Sequence, residues 1–317
     1  SQTNKIQAGE YNAESGVYSP SSTIGYGKAL IYSTNTSCGI FVHCSGVTIR
    51  NISIVCGQLL ANAANDNAVI KCFNNFEYES YAPNNALRFM HHTLIENCYF
   101  RSENYGSCVY LTGFGVARLV GCYTYGGNIG FLVAQRTENT ATTFESCWAM
   151  NFKSTGYNLV GVYYTSLIAC AADSTFTDSN NYWVPIGYLF NNCFSVSAVN
   201  CGTEQQVIGI AVYDSHNISF SGWALLTRAD AIGVRVYSIN AASELSLENF
   251  HIRRSGDAIS GSNDVLVPGG TKIRFSNTGR TYPIDTAPWI SETQPILLNG
   301  QDTLTNGGMD DYVAIPK

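Results

Sequence analysis

The chain has 317 residues, of which 45% are hydrophobic and only 13% are charged, with a formal net charge of −6. Such a chain lacks the basic surface of a nucleic-acid-binding protein, so we expect no nucleic-acid partner. It contains no run of about 18 apolar residues, so we expect no membrane insertion, and it opens with no signal-peptide pattern. Little charge, abundant Asn, Ser, Thr and Gly, and few amphipathic helix patterns together favour an all-β protein.

A short pattern repeats along most of the chain, after a polar, Gly- and Ser-rich lead-in over residues 1–30. Each copy begins with an apolar residue and an outward-pointing residue. A small residue or Asn follows, then Cys or another apolar residue, and then a second outward-pointing residue. The copies recur roughly every 20–30 residues, which is typical of a solenoid. The copies are 48–54, 94–100, 118–124, 143–149, 166–172, 199–203 and 247–252. A second set of alternating segments lies between them, at 39–42, 69–72, 108–111, 130–133, 156–159, 187–190, 209–212 and 233–236.

Alternation at period two predicts strands with one buried face. Two or three short strands per turn predict a single-stranded parallel β-helix with roughly eight coils over 31–270. We expect a right-handed coil, because parallel crossovers are overwhelmingly right-handed. Residues 271–317 break the period and contain several prolines, so we expect them to form a C-terminal cap or extension over the open edge of the solenoid.

The cysteines predict which residues point into the coil. One position of the repeat carries cysteine in successive copies, namely Cys98, Cys122, Cys147, Cys170 and Cys201. We expect one buried column of free thiols that act as small apolar side chains. Coils about 4.8 Å apart would bring adjacent cysteines within disulfide range, but identically oriented side chains rarely reach the required dihedral angle. No Cys or His spacing suggests zinc, and we expect no metal and no cofactor.

If these cysteines point inward, the residue after each one points outward. The sequence then places Tyr99, Tyr123, Trp148, Ala171, Gly202 and Trp223 in one outward column. A second outward column, two residues further on, contains Arg101, Tyr125, Met150, Asp173, Glu204 and Leu225. Two small residues thus interrupt an aromatic column beside two carboxylates, which predicts a sugar subsite over Ala171 and Gly202, between the indoles of Trp148 and Trp223.

Asp173 and Glu204 are the candidate catalytic pair. They would lie on adjacent coils about 5 Å apart at the backbone, near the carboxylate separation of retaining glycosidases, and side-chain freedom leaves the inverting range open. The neighbouring negative charge should raise the pKa of whichever carboxylate is more buried, which would leave one protonated acid and one carboxylate near neutral pH. The candidate substrate-binding residues are Trp148, Trp223 and Tyr123, with Asp178, Tyr182 and Trp183 in a loop over 173–185.

Other interpretations of the same residues stay open. An outward aromatic column is also what a homotrimer would bury between parallel coils. Asp173 and Glu204 could be solvated turn residues, and the outward pair Glu96 and Glu145 could be plain surface charge. If the catalytic assignment fails, the insertion over 73–92 is the next candidate, because it contains Glu77, Glu79, Arg88 and His91.

The coils at 93–100 and 243–252 resemble those of the pectate-lyase-like superfamily of right-handed parallel β-helices. Within it, this low-charge chain rich in Asn and Tyr is most similar to bacteriophage tailspike proteins, over roughly residues 31–270. The resemblance implies homotrimers in the virion, assembled in the host cytoplasm. Such proteins bind and often cleave capsule or lipopolysaccharide at the bacterial surface.

No catalytic motif of that superfamily is carried over, because the Asp-Asp and Gly-His-Gly signatures of polygalacturonases and the calcium-binding Asp cluster of pectate lyases are not evident. Two functions therefore stay open. One is a depolymerase of bacterial surface polysaccharide, either a glycoside hydrolase, which the carboxylate pair favours, or a lyase. The other is a non-catalytic glycan-binding adhesin or structural virion β-helix, since fold alone does not establish activity.

Overall fold

The regular secondary structure in the described part of the chain consists of β-strands. The computed structural model describes the backbone of residues 4–7, 10–12, 17–19, 29–61, 67–73, 92–113, 115–176, 185–228, 232–237, 244–249, 251–255, 265–267, 272–276, 279–282, 290–292 and 297–298. It describes side chains for residues 29–61, 67–72, 92–113, 115–134, 140–176, 185–223, 234 and 245–249.

The strands are short, as the alternating segments of the sequence predict. In chain order they are β1 (Asn4–Gln7), β2 (Glu10–Asn12), β3 (Val17–Ser19), β4 (Ala29–Ser33), β5 (Cys38–Val42), β6 (Thr48–Arg50), β7 (Ile52–Cys56), β8 (Ala68–Phe73), β9 (Thr93–Glu96), β10 (Tyr99–Ser102), β11 (Ser107–Thr112), β12 (Ala117–Val120), β13 (Tyr123–Gly126), β14 (Ile129–Thr140), β15 (Thr142–Glu145), β16 (Trp148–Met150), β17 (Thr155–Ile168), β18 (Ala171–Asp173), β19 (Ile186–Asn191), β20 (Phe194–Val199), β21 (Gly202–Glu204), β22 (Ile208–Tyr213), β23 (His216–Ser221), β24 (Ala224–Arg228), β25 (Ile232–Tyr237), β26 (Glu244–Glu248), β27 (His251–Ser255), β28 (Val265–Val267), β29 (Lys272–Ser276), β30 (Gly279–Tyr282), β31 (Ile290–Glu292) and β32 (Leu297–Leu298).

Parallel stacks of these strands form the walls of the coil. The first sheet has eleven strands in the order β1, β4, β7, β10, β13, β16, β18, β21, β24, β27, β30. Every strand after β4 runs parallel to the one before it, and β1 pairs with β4 antiparallel. The stack therefore has more strands than the roughly eight coils that the sequence predicts.

The second sheet, of nineteen strands, contains two further parallel stacks that share the long strands β14 and β17. The first half of β17 pairs with β19, and its second half pairs with β15 and β20. A chain that passes through three parallel stacks in each coil forms a parallel β-helix, so this prediction is confirmed. Right-handedness and the division of the chain after residues 30 and 270 stay predictions.

A left-handed corner precedes eight strands of the first sheet, namely β7, β10, β13, β16, β18, β21, β24 and β27. The residues at this corner have φ between 47° and 66°, and they are Asn51, Asn97, Gly121, Ser146, Ala169, Asn200, Gly222 and Asn249. At the seven corners from Asn51 to Gly222, the N–H donates to a carbonyl of the following coil, as from Asn97 to Val120 at 2.9 Å. Asn and Gly suit the corner because they adopt this conformation at little steric cost.

In five coils the residue after the corner is a cysteine that points into the coil. Cys98, Cys122, Cys147, Cys170 and Cys201 occupy this position and are at most 3% exposed. All eleven cysteines are free thiols, and Sγ of Cys147 lies 3.4 Å from the carbonyl oxygen of Leu119 in the preceding coil. Burial raises the pKa of Cys98 to about 11 and that of Cys147 well above its usual range, so these thiols stay protonated. The predicted buried cysteine column is confirmed.

Cys147→Asp should strongly destabilise the protein. The change places an unpaired carboxylate in the core, at a cost of several kcal/mol, comparable to the whole stability margin of many domains. We expect its urea midpoint, followed by circular dichroism, to fall far below that of the unmodified protein. Cys44→Asp is the matched control, because Cys44 is exposed. Equal midpoints for the two variants would contradict the inward position of Cys147.

Candidate functional site

The outer face of the first sheet is the face that points away from the coil interior. Strand pairing places Tyr99, Tyr123, Trp148, Ala171, Gly202 and Ala224 in one column of this face, which we call the aromatic column. Two residues along each strand lies the charged column, which contains Arg101, Tyr125, Met150, Asp173, Glu204 and Leu226. The predicted columns are therefore correct as far as Gly202 and Glu204.

The predicted outward position of Trp223 is wrong. Trp223 is 1% exposed, its ring centroid lies 4.6 Å from that of Tyr188, and its Nε1–H donates to the carbonyl of Ala198 at 3.1 Å. The physical reason is the corner at Gly222, which has φ +66° and makes the next residue point inward, as Cys201 does after Asn200. Leu225, likewise, pairs with Thr203 rather than Glu204. The aromatic column therefore continues with Ala224, and Trp223 offers no surface to a ligand.

Rings cover one another along the aromatic column. Tyr99 and Tyr123 stack with centroids 5.4 Å apart, and Trp148 meets Tyr123 edge-on at 5.5 Å. Tyr123 is consequently only 9% exposed, and its hydroxyl contacts Sδ of Met150. Trp148, at the end of the row, is 39% exposed. Of the predicted aromatic ligand contacts that the structure describes, Trp148 is the one that presents substantial surface.

Trp148 and Asp173 are joined across neighbouring strands. Trp148 pairs with Ala171, and Asp173 lies two residues further along the same strand. The indole leans over β18, so that Nε1–H donates to Oδ2 of Asp173 at 2.5 Å. The small residue at Ala171 gives the indole room for this position. The gap predicted as a sugar subsite is thus bordered by an indole that is already hydrogen-bonded to the candidate acid.

Asp173 is a carboxyl group with an unusual environment. Partial burial of its side chain raises its pKa from 3.8 to about 6, while the Trp148 N–H lowers the pKa and the negative charge of Glu204 raises it. Oδ1 is buried and has no hydrogen-bond partner among the described residues. Glu204 is exposed and pairs with Asp173 in register. Burial, rather than the neighbouring carboxylate, is therefore the main cause of the raised pKa.

Several predicted site residues lie outside the described residues. Asp178, Tyr182 and Trp183 belong to this group, as do Glu77, Glu79, Arg88 and His91 of the insertion. The other carboxylate pair is engaged elsewhere on the surface, since Glu96 lies 2.6 Å from Nε of Arg50 and Glu145 lies 2.6 Å from a guanidinium nitrogen of Arg118. Those contacts support the interpretation of Glu96 and Glu145 as surface charge.

The described residues contain neither a metal-binding cluster nor a membrane-spanning helix. No group of three or more His, Cys, Asp or Glu side chains there could hold a metal ion. Within the same ranges, no helix is long and apolar enough to cross a membrane.

Comparisons with known proteins find distant likenesses among solved structures. No protein-family model and no curated protein match the chain. The tailspike gp42 of Acinetobacter phage vb_AbaP_AS12 is 12% identical with a TM-score of 0.49, over 88% of this chain and 58% of that one. An N-terminal fragment of bacteriophage Phi29 gene product 12 is 13% identical with a TM-score of 0.41, over 86% and 61%.

An endo-xylogalacturonan hydrolase from Aspergillus tubingensis is 11% identical with a TM-score of 0.24, over 84% of this chain and 88% of that one. This chain spans less than two thirds of the length of the two phage proteins. Likenesses of this size do not establish a shared function.

The raised pKa of Asp173 predicts a pH-dependent effect on stability. Between about pH 4 and pH 6 the folded protein keeps a proton that the unfolded chain releases, so this group lowers stability as pH rises through that window. Asp173→Asn removes the titration. We expect the melting temperature of the variant, relative to that of the unmodified protein, to increase as pH rises from 4 to 7. Above pH 7 the difference between the two melting temperatures should stay constant.

Differential scanning calorimetry from pH 4 to pH 8 measures this effect. Glu204→Gln is the matched control, because it removes the neighbouring charge at an exposed position. We expect it to reduce the effect without abolishing it, since burial is the larger cause of the shift. A melting-temperature difference between Asp173→Asn and the unmodified protein that is the same at every pH would show that Asp173 titrates normally.

Proposed function

We propose that the protein binds a bacterial surface polysaccharide along the outer face of the first sheet and hydrolyses one of its glycosidic bonds there. The observation that carries the proposal is Asp173, whose pKa lies near 6 beside the exposed indole of Trp148. A carboxyl group with a pKa near 6 keeps part of its population protonated close to neutral pH, and this protonated form can act as a general acid. An exposed indole provides the flat apolar surface on which a sugar ring stacks.

Glu204 is the proposed partner of Asp173. The two residues are paired on neighbouring strands, about 4.8 Å apart at the backbone. Glu204 is exposed, so it serves as the nucleophile or base, while the more buried Asp173 supplies the proton. Ala171 and Gly202, beside them in the aromatic column, leave space for the sugar ring.

Trp148 has to move during this reaction. The indole N–H of Trp148 donates a hydrogen bond to Oδ2 of Asp173, and Oδ1 is buried, so neither oxygen is open to a substrate. A sugar that stacks on the indole would turn it away from β18 and free Oδ2 to donate its proton to the glycosidic oxygen. Loss of the indole hydrogen bond would also raise the pKa of Asp173, because that bond lowers it.

The same contact favours a second candidate function. If Trp148 stays hydrogen-bonded to Asp173, neither carboxyl oxygen can reach a substrate, and the pair serves only to hold the indole in place. The protein would then be a glycan-binding adhesin or a structural virion β-helix. This alternative uses the exposed face of Trp148 but requires no proton transfer.

The resemblance of the sequence to tailspike proteins supports a wider proposal about setting. We propose that the chain is part of a homotrimeric virion protein that is assembled in the host cytoplasm and acts at the bacterial surface. Several large apolar side chains outside the site support an assembly, because they are exposed: Phe41 at 55%, Tyr164 at 64% and Phe194 at 43%. Clusters of such residues often mark interaction surfaces.

Asp173→Asn and Glu204→Gln should each reduce turnover of the cognate polysaccharide by about 10²-fold or more and leave binding nearly unchanged. Trp148→Ala should weaken binding itself. Reducing ends released from a panel of capsules and lipopolysaccharides measure turnover, and a pull-down with the same polysaccharides measures binding. Glu145→Gln is the control, because Glu145 is a surface carboxylate paired with Arg118.

Two results would decide against catalysis. Cleavage by Asp173→Asn and Glu204→Gln at the unmodified rate would remove both residues from the mechanism. If binding depends on Trp148 but no polysaccharide in the panel is cleaved, the protein is a glycan-binding adhesin and not a hydrolase.

Assembly is tested separately by light scattering. We expect a particle of three times the 34.5 kDa mass of the chain, because exposed apolar side chains are stabilised by burial between subunits. Replacing the exposed rings at Tyr164 and Phe194 with Ser should shift the particle toward monomer if they lie in the interface. A monomer at micromolar concentration for the unmodified chain would exclude the homotrimer.

A further inference from the structure

Arg101 stands in the charged column of the outer face, where it forms a long ion pair with Glu103 but no hydrogen bond to a described residue. Its guanidinium carbon lies 5.3 Å from the ring centroid of Tyr125, and its side chain is 27% exposed. Among the described residues it donates no hydrogen bond within 3.5 Å, and the nearest carboxylate oxygen is Oε1 of Glu103, 3.8 Å from a guanidinium nitrogen. A guanidinium carries five donors in a planar fork, so these donors are available to a ligand.

The other described arginines differ from it. Arg50 and Arg118 are more exposed than Arg101, and each forms a 2.6 Å contact with a carboxylate on the neighbouring strand. Those two contacts satisfy guanidinium groups that water also reaches. Arg101 is less accessible to water and also lacks a close carboxylate. A partly buried arginine with unused donors is the less stable arrangement, unless a ligand completes it.

Glu103 does not act as a hydrogen-bonded carboxylate partner of Arg101, because the two side chains lie 3.8 Å apart. Burial raises the pKa of its carboxyl group, and the charge of Arg101 lowers it. Its Oε1 is buried and accepts no hydrogen bond among the described residues. The Glu103 N–H donates to Cys56 at 3.1 Å, and the side-chain amide of Asn104 donates to Gly57 at 2.8 Å. These bonds hold the backbone of the turn in place, and the side chains of Arg101 and Glu103 lie 3.8 Å apart, which is longer than a hydrogen bond.

A second cation borders the same turn. Lys153 donates from Nζ to the carbonyl of Asn104 at 2.6 Å, and Nζ lies 4.7 Å from the ring centroid of Tyr105. Its backbone N–H donates to Gly127 at 3.0 Å. An ammonium has three donors, so Lys153 has donors left beyond the one used here. Arg101 on β10 and Lys153 beside the turn after that strand are therefore two cations near the one carboxylate of Glu103, whereas β18 and β21 contribute the carboxylates of Asp173 and Glu204.

We infer that Arg101 binds the carboxylate of an acidic sugar in the polysaccharide, so that the substrate class is an acidic polysaccharide. The inference rests on the proposed function and extends its site along the sheet. A planar guanidinium binds a carboxylate through two parallel hydrogen bonds, which a neutral hydroxyl does not reproduce. The Tyr125 ring below the guanidinium keeps the fork oriented.

The position of Arg101 fits one continuous glycan. Arg101 and Asp173 are in the same column, separated by Tyr125 and Met150. Three strand spacings correspond to about 14 Å at the backbone, a length that an oligosaccharide of several rings covers. A chain of sugars could therefore place an acidic residue at Arg101 and a scissile bond at Asp173. Arg101 is then a specificity-determining residue, whereas Asp173 acts on the bond.

The test uses purified capsular polysaccharides and O-antigens, with and without uronic acids, and the full chain. Every polysaccharide that binds is compared with the same material after chemical reduction of its carboxyl groups to alcohols. We expect binding only of acidic polysaccharides, and a loss of about tenfold or more on reduction. Arg101→Gln should show the same loss on the native polysaccharide, and Arg118→Gln, the matched control on another face, should show none.

The outcomes separate this inference from the proposed function. Binding that Trp148→Ala weakens, but that neither carboxyl reduction nor Arg101→Gln changes, would overturn the acidic-sugar inference and leave the proposed function standing. Binding of neutral polysaccharides alone would do the same. If no polysaccharide in the panel binds the unmodified protein, both fail. The carboxyl-reduction comparison uses unmodified protein, so it does not depend on how a variant folds.

Discussion

The left-handed corner before the strands of the first sheet from β7 to β27 is the constraint on which the site depends. It fixes the next residue inward and the one after it outward, and its N–H bonds to the following coil keep neighbouring coils in register. Ser146 and Ala169 adopt this conformation although it costs a non-glycine residue roughly 1–2 kcal/mol. Because the corners are aligned, Asp173 and Glu204 come to paired positions on one face.

Much of this could be predicted from the sequence, because the repeat marks the corner and the inward position directly. A cysteine after Asn97, Gly121 or Asn200 identifies the register without any structure. The prediction failed at Trp223, where a large aromatic residue takes the inward position that cysteine holds elsewhere. Aligning Gly222 with Asn200 as corner residues would have found the shift, since both suit a positive φ. The preference for exposed tryptophan as a sugar platform outweighed that signal.

The chemistry of the site was less accessible to sequence reasoning. Pairing of the two carboxylates follows from strand period alone, but the main cause of the raised Asp173 pKa is burial, which depends on packing around a short strand. The Trp148 contact crosses strands diagonally and needs the small side chain of Ala171 below it. The unused guanidinium of Arg101 was equally hidden, because the sequence shows Glu103 nearby but not that the two groups are held apart.

The proposed function requires that a glycan lies along the outer face of the first sheet. The most direct measurement is a crystal structure of the Asp173→Asn variant with a bound oligosaccharide of the cognate polysaccharide. The account predicts sugar rings over Ala171 and Gly202, with Trp148 turned away from position 173 and stacked on a ring. Sugar density on the second sheet, with the indole still bonded to residue 173, would contradict it.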